Sequence, residues 1–496
     1  MSERFSLDLP APPPPEPVVA TAVVLWRAGD RGREIFLVRR GAERRFAGGF
    51  HAFPGGRLDP GDAAVPVAGA DAEAAPLVAC AVRELFEETG VLAARGAERM
   101  DGAARDEARR ALLEDRATLA DVLERHGLAL DAGRFTPLGR WITPPYLPLR
   151  YDARQFLLRL PQGERAEVWP GELAAGAFLP AGEILRRWEA GEVLLHPPNL
   201  WAVQVLARPG PVEVAALRAS PWCDANISRR IEFQRGIWLA ALRTPTLPPA
   251  THTNAWLVDV GGGLAVVDPG APDPGEQARL LALLDELAAE GLPPREIWLT
   301  HGHADHVGGA AALAAARGLP IRAHPALRAR DPELPVVPLR EGELLAGRWL
   351  VLETPGHARD HVVFLDERTG ALLCGDMAST LSTVVIDPPD GDMAAYERQL
   401  ERLAALAPRN LFPAHGPPAP DAVRRLRTWL DHRHEREGLV RDALRQPGTL
   451  EEITVRAYPD VPAVAHPIAA RSCLAALEKL AADGLAVRSG RTWASG

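Results

Sequence analysis

Glu296-Ile297-Trp298-Leu299-Thr300-His301-Gly302-His303-Ala304-Asp305-His306 is an apolar, strand-like run that breaks into a cluster of histidines and an aspartate. Four of its last seven residues carry metal-capable side chains, a density that chance placement of 14 histidines in 496 residues hardly produces. The competing reading is an ordinary polar loop. Because the cluster follows the strand directly, it belongs at the strand's C-terminal end, where open α/β sheets place their ligand crevices.

Later pieces repeat that placement. Thr354-Pro355-Gly356-His357, then Cys374-Gly375-Asp376 after Gly370-Ala371-Leu372-Leu373, then Pro413-Ala414-His415-Gly416 after Asn410-Leu411-Phe412, each set a candidate ligand just past an apolar strand. Between them, helical and strand-like segments alternate with short connections, which is α/β patterning. With Asp268 in Val266-Val267-Asp268-Pro269-Gly270, these motifs resemble the metallo-β-lactamase fold family over about 236–420.

That resemblance implies an αββα fold and a binuclear centre. His301, His303 and His357 would hold one metal, Asp305, His306 and His415 the other, and Asp376 would bridge them. Imidazole and carboxylate ligands suit two Zn²⁺, with Mn²⁺ or Fe as alternatives. Such a pair supplies a nucleophile for a carbonyl or a phosphorus, and Asp305 takes a catalytic as well as a ligating role. Asp268 is expected behind the ligands rather than among them. An intact HxHxDH and an aspartate at the bridging position look like the glyoxalase II type, not the zinc β-lactamases with a cysteine ligand. Cys374 is then expected to pack as a small hydrophobe. The short spacings from His357 to Asp376 and on to His415 exclude the inserted domain of β-CASP nucleases.

A second constellation lies upstream. In Arg83-Glu84-Leu85-Phe86-Glu87-Glu88-Thr89-Gly90-Val91 the glutamates share one helical face while Val82, Leu85 and Phe86 can pack inward. Clustered carboxylates repel one another unless compensated, and Mg²⁺ or Mn²⁺ with a diphosphate is the natural partner for oxygen ligands. The plainer reading is a solvated acidic face. The segment resembles the second half of the Nudix hydrolase box. The first half departs from the pattern: Asp62 stands where glutamate is expected, and an insertion separates it from Arg83. Arg45, Gly49, Phe53, Pro54, Gly55 and Gly56 are similar to the coenzyme A signature of Nudix coenzyme A diphosphatases. The resemblance covers about 18–207 and implies an α+β Nudix fold. By it, Glu84, Glu87 and Glu88 hold divalent metals and act in catalysis, Arg83 orients a glutamate, and Arg45, Gly55 and Gly56 meet the substrate. Glu167 or Glu172 is a further ligand candidate.

After His415 an arginine-rich helix, with Arg424, Arg425, Arg427, Arg433 and Arg436, is interleaved with Asp431, Glu435, Glu437 and Asp442. Such a helix reads as solvated and salt-bridged, or as a face for a phosphate backbone. The segment ending in Gly484 and a hairpin resembles the winged helix of the β-lactamase-like protein 2 family, some of whose members cut single-stranded RNA.

These motifs divide the chain into a Pro-rich tail (1–17), a Nudix domain (18–207), a linker (208–235), a metallo-β-lactamase-fold domain (236–420) and a small α-rich winged helix (421–496). At 47% hydrophobic and 24% charged residues the composition is that of a globular protein. A net charge of −9 argues against a globally basic nucleic-acid binder. Lys479 is the sole lysine among 56 basic residues, a bias attributed to coding composition. The four cysteines show no CxxC spacing, which fits a reducing cytoplasm. Neither a signal peptide nor a membrane span is expected.

The expected function is a bifunctional metal-dependent hydrolase. Its Nudix head would cleave a nucleoside diphosphate linkage in coenzyme A or acyl-coenzyme A, and its binuclear head would hydrolyse a thioester or similar ester. The alternative is a single-strand endoribonuclease, reaching RNA through the C-terminal domain, with a Nudix domain that only binds a regulatory nucleotide. Oligomeric state is not legible.

Overall fold

A computed structural model of the chain describes residues 14–41, 48–169, 171, 173–220 and 223–496. The chain divides into two compact units, Pro12–Arg235 and Gly236–Gly496.

In the first unit Val18–Gly29 turns back on Gly32–Arg40 as an antiparallel hairpin and pairs in parallel with Tyr151–Arg159. His51–Ala52 and Leu173–Pro180 flank Gly32–Arg40, and Thr136–Ile142 closes the other side. Side chains alternate across a strand, so Val23 and Leu25 face one layer and Val24 the other. The first layer is the helix Ala74–Thr89, whose Val78, Val82, Leu85 and Phe86 join Val23, Leu25, Phe36 and Val38 in one core. The second is built by the helices Ala181–Glu189 and Pro197–Leu206, packed on Val24, Ile35 and Leu37.

Two expectations change here. The Ala-rich stretch 63–79, part of the segment between Asp62 and Arg83 read as an insertion, supplies the first turns of the glutamate helix and buries Val78 and Ala79, because small residues let that helix approach the sheet. The segment 208–235, read as a linker, carries the helix Val214–Arg218, buries Leu217 in the core and accepts the Trp201 and Trp188 indole N–H groups at Ala216 O and Phe233 O.

The second unit faces two sheets against each other. One runs Ile237–Arg243, His252–Asp259, Leu264–Val267, Pro294–Trp298, Ile321–Ala323, Val336–Pro338; the other runs from Leu344–Leu345 through Trp349–Glu353, Val362–Asp366, Ala371–Gly375 and Asn410–Pro413 to Ala419–Pro420. Aromatic rings fill the space between them: Trp298 meets Trp349 and Phe364 with centroids 6.1 and 4.9 Å apart, and Trp256 meets Phe412 at 5.2 Å. Pro274–Ala289 and Ala310–Arg317 cover the outside of the first sheet, Met393–Ala405 and Ala422–Ala443 the second. This is an αββα sandwich.

Beyond Ala443 the helices Leu450–Ala457 and His466–Ala482 share a small core with the hairpin Ala486–Ser489/Thr492–Ser495, against which Gly448–Thr449 pairs. Thr449 and Glu452 close a capping box at the start of Leu450–Ala457. The layout is a winged helix. Among the described residues no helix is long and apolar enough to cross a membrane, and all four cysteines are unpaired, Cys374 being buried.

Candidate functional site

The strand Pro294–Trp298 ends just short of Thr300, and the following turn delivers His301, His303, Asp305 and His306 to one point. His357 arrives on the loop after Trp349–Glu353, Asp376 follows Ala371–Gly375, and His415 follows Asn410–Pro413. Neighbouring strand ends thus bring together residues far apart in sequence. His357 Nε2 lies 3.0 Å from His303 Nδ1, which is 2.9 Å from His301 Nε2. His415 Nε2 lies 3.4 Å from Asp305 and 3.5 Å from Asp376, while His306 Nε2 is 3.7 Å from each carboxylate. Asp376 also reaches His357 Nε2 at 3.4 Å, so it stands between the two groups of imidazoles.

The outward nitrogens determine what the inward ones are. His357 Nδ1 donates to Val385 O at 2.8 Å and His415 Nδ1 to His252 O at 3.1 Å. Asp268, on backbone with φ 51°, accepts from the Thr300 hydroxyl and amide and from His306 Nδ1 at 2.9 Å. Thr300 Oγ1, having spent its proton on Asp268, accepts from His301 Nδ1 at 3.0 Å. The inward nitrogens of His301 and His357 therefore present lone pairs, while those of His306 and His415 face the Asp305 and Asp376 carboxylates; burial opposes a charge on either ring, but the carboxylates outweigh it and raise both imidazoles above their ordinary range. His306 Nε2 and Asp376 Oδ1 are buried with no hydrogen-bond partner. Imidazoles and carboxylates gathered away from water and tethered from behind in this way can hold a cation. Burial holds His301 well below its ordinary range and pushes His357 down to about 4, keeping both neutral. Burial opposes ionisation of Asp376, but His415 and His306 outweigh it and hold its carboxyl well below the usual range.

Residues that the sequence reading passed over complete the surround. His361, fully buried, accepts the Asp376 N–H at 3.1 Å on Nε2, so its Nδ1–H donates to Thr354 Oγ1 at 2.7 Å. Asn254 donates to Pro413 O and Gly416 O on either side of His415. Asp390 faces His303 Nε2 at 3.5 Å. For His361 a signal existed, a second histidine in the Thr354–His361 stretch; Asn254 acts on backbone carbonyls and the Asp390 carboxylate reaches His303 from a distant loop, which no residue pattern encodes.

In the first unit, Glu88 accepts the Gly55 amide at 2.9 Å. Arg83 donates to Glu84 at 2.9 Å and Glu87 at 3.4 Å. Its other face makes a bidentate pair, both contacts 2.9 Å, with Asp62, whose carboxylate is buried. Asp62 is thus a participant: it holds Arg83, and Arg83 holds two of the glutamates. Burial, helped by the charge of Glu84, pushes the Glu87 carboxyl up to about 7. Glu84 and Glu87 meet at Arg83, and Glu84 also lies against the Gly55–Gly56 turn whose amide Glu88 accepts; the three carboxylates are not gathered as tightly as the histidine cluster is. Glu167 is tied by its backbone to Thr89 O; Arg45 and Glu172 lie outside the described residues.

Of the C-terminal arginines Arg433 is buried, Arg424, Arg425 and Arg436 are half-buried and Arg427 is exposed. Arg433 is buried over the Tyr396 ring, Arg436 pairs with Asp460, and Arg424 pairs with Asp421.

Residues 248–415 match the family model "Metallo-beta-lactamase superfamily". Lactamase-like protein vrtG of Penicillium aethiopicum is 31% identical over 234 residues, covering 44% of this chain and 72% of that protein. The chain belongs to the metallo-beta-lactamase superfamily. A further relative, the Beta-lactamase-like protein 2 homolog of Caenorhabditis elegans, is 27% identical over 245 residues, 47% of this chain and 80% of its own length. Lactamase-like protein adaB of Aspergillus niger is 31% identical over 199 residues, 39% of this chain, and the chain spans only 58% of its length.

This superfamily member carries two other domains. Residues 449–493 match "Beta-lactamase associated winged helix domain" and residues 16–112 match "NUDIX domain". A NUDIX hydrolase structure from Alicyclobacillus acidocaldarius is 33% identical, covering 40% of this chain and 96% of that one at TM-score 0.36. Metallo-beta-lactamase and Nudix families are divalent-metal-dependent hydrolases.

Proposed function

We propose that this chain is a cytoplasmic, two-headed metallohydrolase, in which the binuclear head cleaves a thioester or similar ester and the Nudix head cleaves the diphosphate of coenzyme A or acyl-coenzyme A. The observation that carries the reading is the convergence of His301, His303, His306, His357 and His415 with Asp305 and Asp376, four of the rings being held from behind by hydrogen bonds at Nδ1. His301, His303 and His357 would hold one Zn²⁺ and Asp305, His306 and His415 the other, with Asp376 shared; Glu84, Glu87 and Glu88 would hold Mg²⁺ or Mn²⁺. Bound ions supply Lewis acidity and activate water. The chain itself orients that chemistry. Asp268 and Thr300 fix the rings of His306 and His301, Asp305 offers a carboxylate for a proton of the attacking water, and Arg83 keeps Glu84 and Glu87 side by side. A coenzyme A thioester is a substrate both heads can share, which supports ester over RNA chemistry. The engagement of Arg424, Arg433 and Arg436 within the protein points the same way.

The test incubates the full chain, with Zn²⁺ and Mg²⁺, against acyl-coenzyme A, free coenzyme A, NADH and a single-stranded RNA. Thiol release should vanish in Asp376→Asn and persist in Glu87→Gln and Glu88→Gln. Release of 3′,5′-ADP should show the opposite pattern. RNA fragments without thiol release would overturn the ester reading, and a wild type that yields no phosphate-containing product would make the Nudix head a binding module.

A further inference from the structure

The ring of His357 is oriented by a single acceptor, the carbonyl of Val385, at 2.8 Å. That carbonyl shares its peptide plane with the Ile386 amide, and the Ile386 N–H donates to the hydroxyl of Ser472 at 3.1 Å. Ser472 is buried on the helix His466–Ala482, the long helix of the winged domain. The peptide is therefore held at both ends: its oxygen by a metal-site imidazole, its nitrogen by the C-terminal domain.

The neighbouring residues are gripped in the same way. Arg433, from Ala422–Ala443, donates to Val384 O. Arg471, beside Ser472, pairs with Asp387. Trp429 Nε1 donates at 3.1 Å to Ser379 O, and the Ser379 hydroxyl donates at 3.2 Å to the His415 carbonyl. Val384, Ile386 and Ala475 share one apolar core. A loop without regular structure thus takes its backbone partners from Ala422–Ala443 and from His466–Ala482, the latter lying beyond the αββα sandwich. Hydrogen bonds in series through one peptide also polarise one another.

We infer that Ser472 is a positioning residue for the metal centre, fixing the Val385–Ile386 peptide that aims His357, so that the winged helix is a working part of the metal site. This rests on the reading of His357 as a ligand. Outer partners of metal ligands are worth tenfold or more in affinity. Removing the Ser472 hydroxyl frees the peptide to rotate and costs His357 its fixed acceptor.

The experiment titrates Co²⁺ into metal-free full-length protein and follows its visible absorption, with melting of the metal-free protein measured alongside. Ser472→Ala should weaken one of two Co²⁺ sites by about tenfold and leave the other unchanged. Ser472→Thr, which keeps the hydroxyl, should restore it. In a His357→Asn background, Ser472→Ala should add nothing. Wild-type affinity at both sites in Ser472→Ala, or an equal loss with and without His357, would overturn the proposal. If His357→Asn alone binds two Co²⁺ as wild type does, it is the ligand reading that fails.

Discussion

Asp366 closes the strand Val362–Asp366 with a side chain fully removed from solvent. Its carboxylate receives both Arg348 nitrogens at 2.7 and 2.8 Å, the Thr369 hydroxyl and the Arg368 amide at 3.0 Å. Burial works against ionisation, but these donors outweigh it and hold the carboxyl below its ordinary value. A group with a depressed folded pKa contributes stability that is whole above its unfolded value, about 3.9, and is lost as pH falls through the lower folded one. Urea unfolding of the wild type should therefore weaken below about pH 4, and Asp366→Asn should flatten that decline. The same substitution leaves Arg348 without its counter-charge and should cost about 3–5 kcal/mol at pH 7. An unchanged pH slope would show that other carboxylates dominate.

The glutamate helix Ala74–Thr89 shows what a sequence can and cannot disclose. Arg83 to Val91 was legible because those residues share one helix, where spacing fixes which side chains are neighbours. The pairing of Asp62 with Arg83 was not, because it closes across an insertion and depends on where the chain returns. The converging histidines and aspartates were readable because each stands just past an apolar strand; Ser472 was not, since its partner is a backbone amide. The turn before the helix gives a sharper test. A Cβ on Gly56 would fall 2.3 Å from Glu84 Oε2, the movable end of a side chain, whereas one on Gly55, at φ +153°, would fall 2.1 Å from the Thr21 carbonyl oxygen. Gly56→Ala should therefore fold and displace Glu84, lowering diphosphate cleavage by about 10²-fold. Gly55→Ala should lower stability itself, by at least about 1–3 kcal/mol. Thermal melting and phosphate-product release together separate the two, and equal melting temperatures would contradict this assignment.

At the scale of the whole molecule, the carboxylates behind the net charge of −9 are partly committed. Some face the histidine cluster, Asp62 and Asp366 hold arginines, and Glu397 and Glu437 meet at Lys479, the sole lysine, where Met393–Ala405, Ala422–Ala443 and His466–Ala482 come together. Through that junction the winged helix and the sandwich share a fate, which is why they group as one compact unit while Pro12–Arg235 forms another with its own core. Ligand binding stabilises only the state that binds, by about 2.7 kcal/mol at a hundredfold excess over Kd. The unit Gly236–Gly496 buries unpaired His306 and Asp376 atoms that a cation would satisfy; the first unit offers no histidine cluster among its described residues. Calorimetry of the metal-free chain with added Zn²⁺ should therefore raise one transition and leave the other in place, and a chelator should reverse it. Asp376→Asn should abolish most of the rise, because that carboxylate lies within reach of both groups of imidazoles. If Zn²⁺ moved both transitions equally, or moved that of Asp376→Asn as far as the wild type's, the stabilisation would come from adventitious sites and not from this centre.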